Sequence, residues 1–133
     1  MPIFAAEILD EVKEGKLTFY KLTVDGVSLY DKFCRSIESN AQLVKSLNTI
    51  RAYMNFLAEN DAQLPKAKFN SIKSKQNVVG YEFKKDSLRI YVIKQKPNVY
   101  VVLGGYKSTQ KKDIEKFIKI GKEYIQAINT IQL

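Results

Sequence analysis

Three short apolar runs in the second half of the chain constrain the fold most. VGYEFKK (79–85), LRIYVIK (88–94) and VYVVLGG (99–105) are rich in Val, Ile, Tyr and Phe, and short polar turns separate them. Residues of these types favour strands, and turns this short join strands that run antiparallel. The pattern therefore predicts a three-stranded antiparallel meander.

Helical periodicity predicts three helices outside the meander. Ser28 is expected to cap a short helix, in which Leu29, Phe33 and Ile37 recur every four residues. Asn40 is expected to cap a second one, whose apolar stripe steps by four and three through Leu43, Leu47, Ile50, Met54 and Leu57. These two form a hairpin that packs in the core. A third helix is predicted from about 109 to 131, with an apolar face made of Ile114, Phe117, Gly121, Tyr124, Ile128 and Ile131.

The remaining segments complete the predicted architecture. LTFYKLTV (17–24) indicates a strand, and FAAEILDEV (4–12) fits either an earlier strand or a short helix. Residues 64–78 are interpreted as a basic linker. We therefore predict one α+β domain over 1–133, with 1–16 as an N-terminal extension. An antiparallel β-sheet is packed by an N-terminal helical hairpin and a C-terminal helix, both on the same side of the sheet.

The charge is concentrated in one half of the chain. The net charge is +8, yet residues 1–65 hold seven basic and nine acidic side chains, so the whole excess lies in 66–133. This asymmetry favours a polyanionic partner, with nucleic acid ahead of a membrane surface, over a merely soluble lysine-rich surface. The single cysteine, Cys34, cannot form an internal disulfide, and with no histidine in the chain a zinc site is not expected. A cytoplasmic protein is the simplest interpretation.

Alternation along LRIYVIK places an arginine in the middle of the sheet. Leu88, Ile90 and Val92 suit the helix-packed face, so Arg89 and Tyr91 point the other way. Two interpretations of Arg89 stay open. It forms a structural ion pair with Glu82 across the hairpin, or its planar donor fork grips a phosphate group.

The stretch GGYKSTQKKDIEKF (104–117) follows the last strand and opens the third helix. Ser108 or Thr109 is expected to cap this helix, whose N-terminus carries free N–H groups and a partial positive charge. Lys107, Lys111 and Lys112 add positive charge, as in a phosphate site. A well-solvated turn is the alternative interpretation.

GYEFKKDSLRIYVI followed by VYVVLGGYKSTQKKDIEKFIKIGKEY resembles the C-terminal half of RelE/HigB-type toxins of toxin–antitoxin pairs. That family has a strand beginning Tyr-Glu, a strand with Leu-Arg-Ile/Val-Tyr, an apolar strand ending in small residues, and then an aromatic-basic segment before a helix. The segments SLYDKFCRSIE and LPKAKFNSIK match its helical hairpin and the link before its sheet, so the resemblance covers about residues 17–125.

The resemblance implies an endoribonuclease that cuts mRNA, usually on the ribosome, and is silenced by a cognate antitoxin protein. It implies catalytic positions at Arg89, Lys107, Lys111 and Lys112. It also implies RNA-binding positions, which are Lys73, Lys75, Tyr91 and Tyr106. No metal or other cofactor is expected. A branch that poisons gyrase shares the fold, so a non-catalytic basic module that binds nucleic acid or a protein target is the alternative, and a purely structural domain is a third.

Overall fold

A computed structural model describes residues 2–73 and 79–131, the last three of them by their backbone alone. Lys75 and the side chain of Ile131 lie outside the described residues. The described chain is a mixed α+β fold with one seven-stranded sheet and three α-helices.

The strands are β1 (Phe4–Ile8), β2 (Thr18–Val24), β3 (Val27–Ser28), β4 (Phe69–Ile72), β5 (Gly80–Lys85), β6 (Leu88–Gln95) and β7 (Asn98–Tyr106). The helices are α1 (Leu29–Ile37), α2 (Ala41–Asn60) and α3 (Gln110–Ile131), and a 3₁₀ turn, Lys107–Thr109, leads into α3. The strand order is β1-β2-β7-β6-β5-β4, and β3 pairs with β2.

The predicted local elements are confirmed, and the N-terminal alternative is resolved as a strand. Ser28 accepts a hydrogen bond from the Asp31 N–H at 3.1 Å and caps α1, while Asn40 accepts one from the Leu43 N–H at 3.1 Å and caps α2. The interpretation of 64–78 as a linker was wrong for Phe69–Ile72, which forms β4 on the free side of β5. The helical hairpin also follows three strands and is not the first element of the chain.

The prediction of an antiparallel sheet was wrong for one pair of strands. β2 runs parallel to β7, with Phe19 beside Val99 and Lys21 beside Val101, whereas the other pairs are antiparallel. The long excursion from β2 through α1 and α2 returns the chain to the far side of the sheet before β4 begins. A connection of that length allows parallel pairing, which a tight turn does not.

The helices cover both faces of the sheet, so the expectation that all three lie on one side was wrong. α1 and α2 pack with Leu88, Ile90 and Val92 on one face. α3 packs on the other, where Phe117 and Tyr124 share a core with residues that include Tyr91 and Ile93. β6 is buried at six consecutive positions from Leu88 to Ile93. A strand that is apolar on both sides needs cover on both sides, and this requirement places α3 opposite the hairpin.

Candidate nucleic-acid interface

Arg89 and the lysine-rich start of α3 meet at one end of the sheet. Leu88 pairs with Tyr106 and Arg89 with Gly105 in the β6–β7 ladder. The Lys107 N–H donates to the Ser87 carbonyl at 2.7 Å, which fastens the 3₁₀ turn to the β5–β6 turn. Arg89 and the segment around Lys107 therefore lie close together.

Six lysines form an exposed basic surface that begins at this end of the sheet and continues along α3. Its members lie on the 3₁₀ turn and along the solvent side of α3, and they are Lys107, Lys111, Lys112, Lys116, Lys119 and Lys122. A shallow depression of about 430 Å³ opens between Ser108, Thr109, Lys111 and Lys112, with Glu115 at its border. Side chains three or four residues apart on a helix are about 5–6 Å from each other, so the basic surface presents cations at intervals of that size. Lys116 was not selected from the sequence, although its helical spacing from Lys112 could have identified it.

A carboxylate of the protein already occupies the N-terminal end of α3. Asp113 lies in the first turn and accepts a hydrogen bond from the Thr109 hydroxyl at 2.5 Å. It leans over Gly105 so closely that a Cβ atom at that position would collide with it. A negative charge there already interacts favourably with the helix dipole. An incoming phosphate group would therefore bind the lysine ammonium groups rather than the N–H groups at the end of the helix.

Arg89 lies beneath this surface and holds the β5–β6 turn. Its side chain is 7% exposed, and Nη1 donates to the carbonyls of Asp86 at 2.9 Å and Leu88 at 2.7 Å. The predicted ion pair with Glu82 is not formed among the described residues, because the register places Glu82 opposite Tyr91 and Lys84 opposite Arg89. Nε of Arg89 has no hydrogen-bond partner in the described part of the chain.

Glu82 is buried and connects β5 to α3. Both of its carboxylate oxygens accept hydrogen bonds from the Gln110 amide, at 3.0 and 2.9 Å. The Lys84 ammonium is 3.8 Å from the same carboxylate. Gln110 and Glu82 were missed as a pair in the sequence, because a contact between residues 28 positions apart leaves no local pattern.

Tyr91 is fully buried on the α3 side of the sheet, with its ring 5.8 Å from that of Phe117. Its hydroxyl lacks a hydrogen-bond partner within the described residues. Burial raises the pKa of Tyr91, the Glu82 and Asp113 carboxylates raise it further, and Arg89 opposes them. The buried Glu82, Arg89 and Tyr91 thus form a polar cluster with the half-buried Gln110 and Asp113 under the first turn of α3. In this arrangement Tyr91 is not available to stack on a base.

The other predicted RNA-binding residues are dispersed. Tyr106 is half-buried on the hairpin side, in an edge-to-face contact with Phe33 at 5.5 Å. Lys73 is exposed and directly follows β4. The last residue of β4 pairs with Gly80 at the start of β5, whereas Arg89 pairs with Lys84 near the end of β5. Lys73 and Arg89 therefore lie at opposite ends of β5. The structure therefore brings Arg89 and the three lysines of 107–112 together and leaves Lys73 apart.

A larger cleft of about 510 Å³ lies between the end of α2 and β4–β6. One acid neutralises part of its positive charge, since Asp61 lies 3.2 Å from the Lys94 ammonium and 2.8 Å from that of Lys96. Lys66 also lines the cleft. The hydrogen bond from Lys96 is the main cause that lowers the pKa of Asp61. With three lysines and one acid in its lining, this cleft offers a bound polyanion less positive charge than the six lysines of the basic surface do.

Asp61→Asn is expected to lower the free energy of unfolding at pH 7 by about 1 kcal/mol or less, as is usual for accessible ion pairs. A lowered folded-state pKa stabilises the fold above the unfolded pKa, near 4, and that contribution is lost as the pH falls through the folded pKa. The variant and the parent should therefore converge in acid. Asn also tolerates the left-handed conformation of this position, where φ is 47°. Urea unfolding at pH 7 and below pH 3 checks this, with exposed Asp10→Asn as control. An equal deficit at both pH values would contradict the ion-pair assignment.

Two further searches of the described residues were negative. They contain no group of three or more His, Cys, Asp and Glu side chains arranged to hold a metal ion. Across the same residues, none of the helices has the length and apolar character needed to cross a membrane.

No family model matches the chain, and no curated protein or solved structure matches it. The likeness to RelE/HigB-type toxins therefore stays an expectation from the sequence motifs.

Proposed function

We propose that this protein binds single-stranded RNA on the basic surface and cleaves it without a metal ion, as a toxin of the RelE/HigB type. The observation that carries the proposal is the meeting of Arg89 with the segment 107–112 at one end of the sheet. These residues come from β6 and from the 3₁₀ turn and α3, and the Lys107–Ser87 hydrogen bond joins the two parts.

The basic surface suits a phosphate backbone. Its lysines are all exposed, and the nearby acids Asp113 and Glu115 balance only part of their charge. Phosphate contacts from lysine supply affinity without sequence specificity. In this proposal the RNA strand follows the outer side of α3 and one phosphate group lies in the depression beside Lys111 and Lys112.

RNA cleavage by the neighbouring 2′-hydroxyl group needs three forms of help. A base removes the hydroxyl proton, cations stabilise the pentacoordinate phosphate, and an acid protonates the departing 5′-oxygen. Lys107, Lys111 and Lys112 are the cations in reach of a phosphate on the surface. Arg89 lies directly below, so its contact with the phosphate requires the 3₁₀ turn to move outward.

The polar cluster under α3 favours this contact between Arg89 and the phosphate. Arg89 Nε and the Tyr91 hydroxyl are buried and lack hydrogen-bond partners within the described residues. Unpaired buried polar groups are costly and rare, and they often mark functional positions. A phosphate oxygen admitted beneath the turn would be an acceptor for both donors.

Cleavage is tested by incubating the purified chain with a labelled single-stranded RNA, with and without ribosomes. The expected products end in a 2′,3′-cyclic phosphate. In the ribosome-free reaction EDTA should leave the rate unchanged, and in either reaction a 2′-deoxy substitution at the cut position should abolish cleavage. Ribosome-free cutting that EDTA stops, or cutting that continues on the deoxy substrate, would overturn the proposed mechanism.

A non-catalytic basic module is the second candidate. The observation that favours it is the burial of Arg89 and the packing of Tyr91 against Phe117 of α3, which keep both side chains away from a ligand on the surface. RNA binding without cleavage under every condition, including on ribosomes, would support this candidate. Absence of RNA binding would leave a protein target, such as gyrase in the related branch, as the function to test.

A further inference from the structure

β1 is an open edge of the sheet with an apolar sequence. Within the described residues it pairs only with β2, and four of its five residues are exposed. Ile8 is 53% exposed, and Ile3, just before the strand, is 74% exposed. A long apolar edge strand is a template for pairing with another chain.

The hydrogen bonds between β1 and β2 show which backbone groups of β1 point outward from the sheet. Leu9 N–H donates to the Phe19 carbonyl at 3.0 Å, and the Ile3 carbonyl accepts from Asp25 N–H at 2.8 Å. Hydrogen-bonding direction alternates along an antiparallel strand, so the odd-numbered residues face β2. The N–H and C=O groups of Phe4, Ala6 and Ile8 therefore point outward.

β1 lacks the features that usually protect an edge. Such strands carry lysines, prolines or bulges that discourage pairing. The one charge in β1 is Glu7, and it is within 3.8 Å of the Lys21 ammonium of its own chain. β4, the other edge strand, is one residue shorter than β1 and is flanked by Lys68 and Lys73. β1 is thus the edge suited to pairing.

We propose that β1 pairs antiparallel with β1 of a second copy, about a two-fold axis through Ala6, and joins two sheets into one. Phe4 then faces Ile8 of the second copy, and Ile8 faces its Phe4. Ala6 faces Ala6. The three outward N–H groups of each strand meet the three outward C=O groups of the other, which is the self-complementarity that a two-fold interface requires.

The neighbouring registers are less favourable. A shift of two residues in one direction places Glu7 opposite Glu7, and like charges in direct opposition destabilise strand pairs. The opposite shift places Ile8 opposite Pro2, which has no N–H to donate. Only the register centred on Ala6 uses all the outward groups and sets Glu7 opposite the uncharged Ala5.

The side chains agree with this register. Phe4 packs edge-to-face on Tyr124 of α3 at 5.6 Å. Beside it is a shallow apolar cleft of about 260 Å³, whose lining includes Phe4, Tyr124 and Ile128. Ile8 of the second copy would lie opposite Phe4, at the border of this cleft. The pairing therefore buries the exposed Ile8 against apolar surface, a favourable contribution to association.

Disulfide trapping tests the register. In a Cys34→Ser background, Ala6→Cys places two thiols across the two-fold axis, with Cα atoms about 5.5 Å apart, within disulfide range. Ala5→Cys is the matched control, because its copies lie about 8 Å apart on the diagonal, beyond that range. Mild oxidation should convert the Ala6→Cys chain to a covalent dimer at least tenfold faster than the Ala5→Cys chain. Equal rates, or no covalent dimer, would overturn the register.

Sedimentation of the unmodified chain tests the association itself. The mass should rise from one copy to two between micromolar and near-millimolar concentration. Ala6→Lys opposes two cations at the axis and should raise the dimer dissociation constant at least tenfold. Its thermal unfolding at low concentration should match that of the parent, since Ala6 is exposed and its backbone groups form no hydrogen bonds with β2. A parent chain that stays monomeric, or an Ala6→Lys variant that dimerises equally well, would refute the proposal.

Discussion

Arg89→Ala is expected to abolish RNA cleavage and to lower the free energy of unfolding by roughly 2–4 kcal/mol. The stability loss follows because the buried carbonyl of Leu88 and the part-buried carbonyl of Asp86 lose a charged donor. The activity loss follows if the guanidinium stabilises the phosphate, since one such contact is worth about a hundredfold in rate. Cleavage is measured at low temperature, where the variant remains folded, and stability by urea unfolding.

Two variants separate the roles of Arg89. Arg89→Lys keeps the charge and should recover part of the stability, but not cleavage, because an ammonium group lacks the planar donor fork. Arg51→Ala is the control, as it also removes an arginine with polar contacts, to Tyr30 and Asn48, on the hairpin side. It should destabilise the fold and leave cleavage by the folded chain unchanged. Full activity of folded Arg89→Ala would make Arg89 a purely structural residue.

Replacing Lys112, Lys116 and Lys119 by alanine is expected to reduce affinity for single-stranded RNA on the order of a hundredfold or more at 50 mM salt. Each neutralised phosphate adds about 0.7 to the slope of log affinity against log salt, so three lost contacts reduce the slope by about 2. The loss should shrink as salt rises. Filter binding or fluorescence anisotropy across a salt series measures both quantities.

A control triple variant removes the same charge elsewhere. Lys13, Lys32 and Lys45 are exposed, and the latter two lie on α1 and α2, on the opposite side of the sheet from α3. Their replacement by alanine should change affinity far less than the α3 variant does. Equal losses in the two triples would show that net charge, and not the basic surface, governs binding. Affinity that is flat in salt would remove the polyanion argument altogether.

The sequence predicted the elements better than it predicted their partners. The caps Ser28 and Asn40 act within three residues of themselves, so local pattern was sufficient to place α1 and α2. Phe69–Ile72 lacks alternation strong enough to stand out from a basic segment, and it becomes a strand because β5 offers a free edge. The alternative that paired Glu82 with Arg89 is not borne out, because the hydrogen-bond partner of Glu82, Gln110, comes from α3.

The sequence by itself determined the three strands of the meander, the three helices and the concentration of lysines after β7. It also determined that Leu88, Ile90 and Val92 share one face of β6. These depend on periodicity, capping and composition, which act over a few residues. Only the tertiary structure decided which helices cover each face of the sheet. Alternation says that Arg89 and Tyr91 point away from Leu88, Ile90 and Val92, but not that α3 closes over them. That choice comes from burying Phe117 and Tyr124 against the second apolar face of the sheet, and it leaves the lysines of α3, rather than Arg89, in contact with solvent.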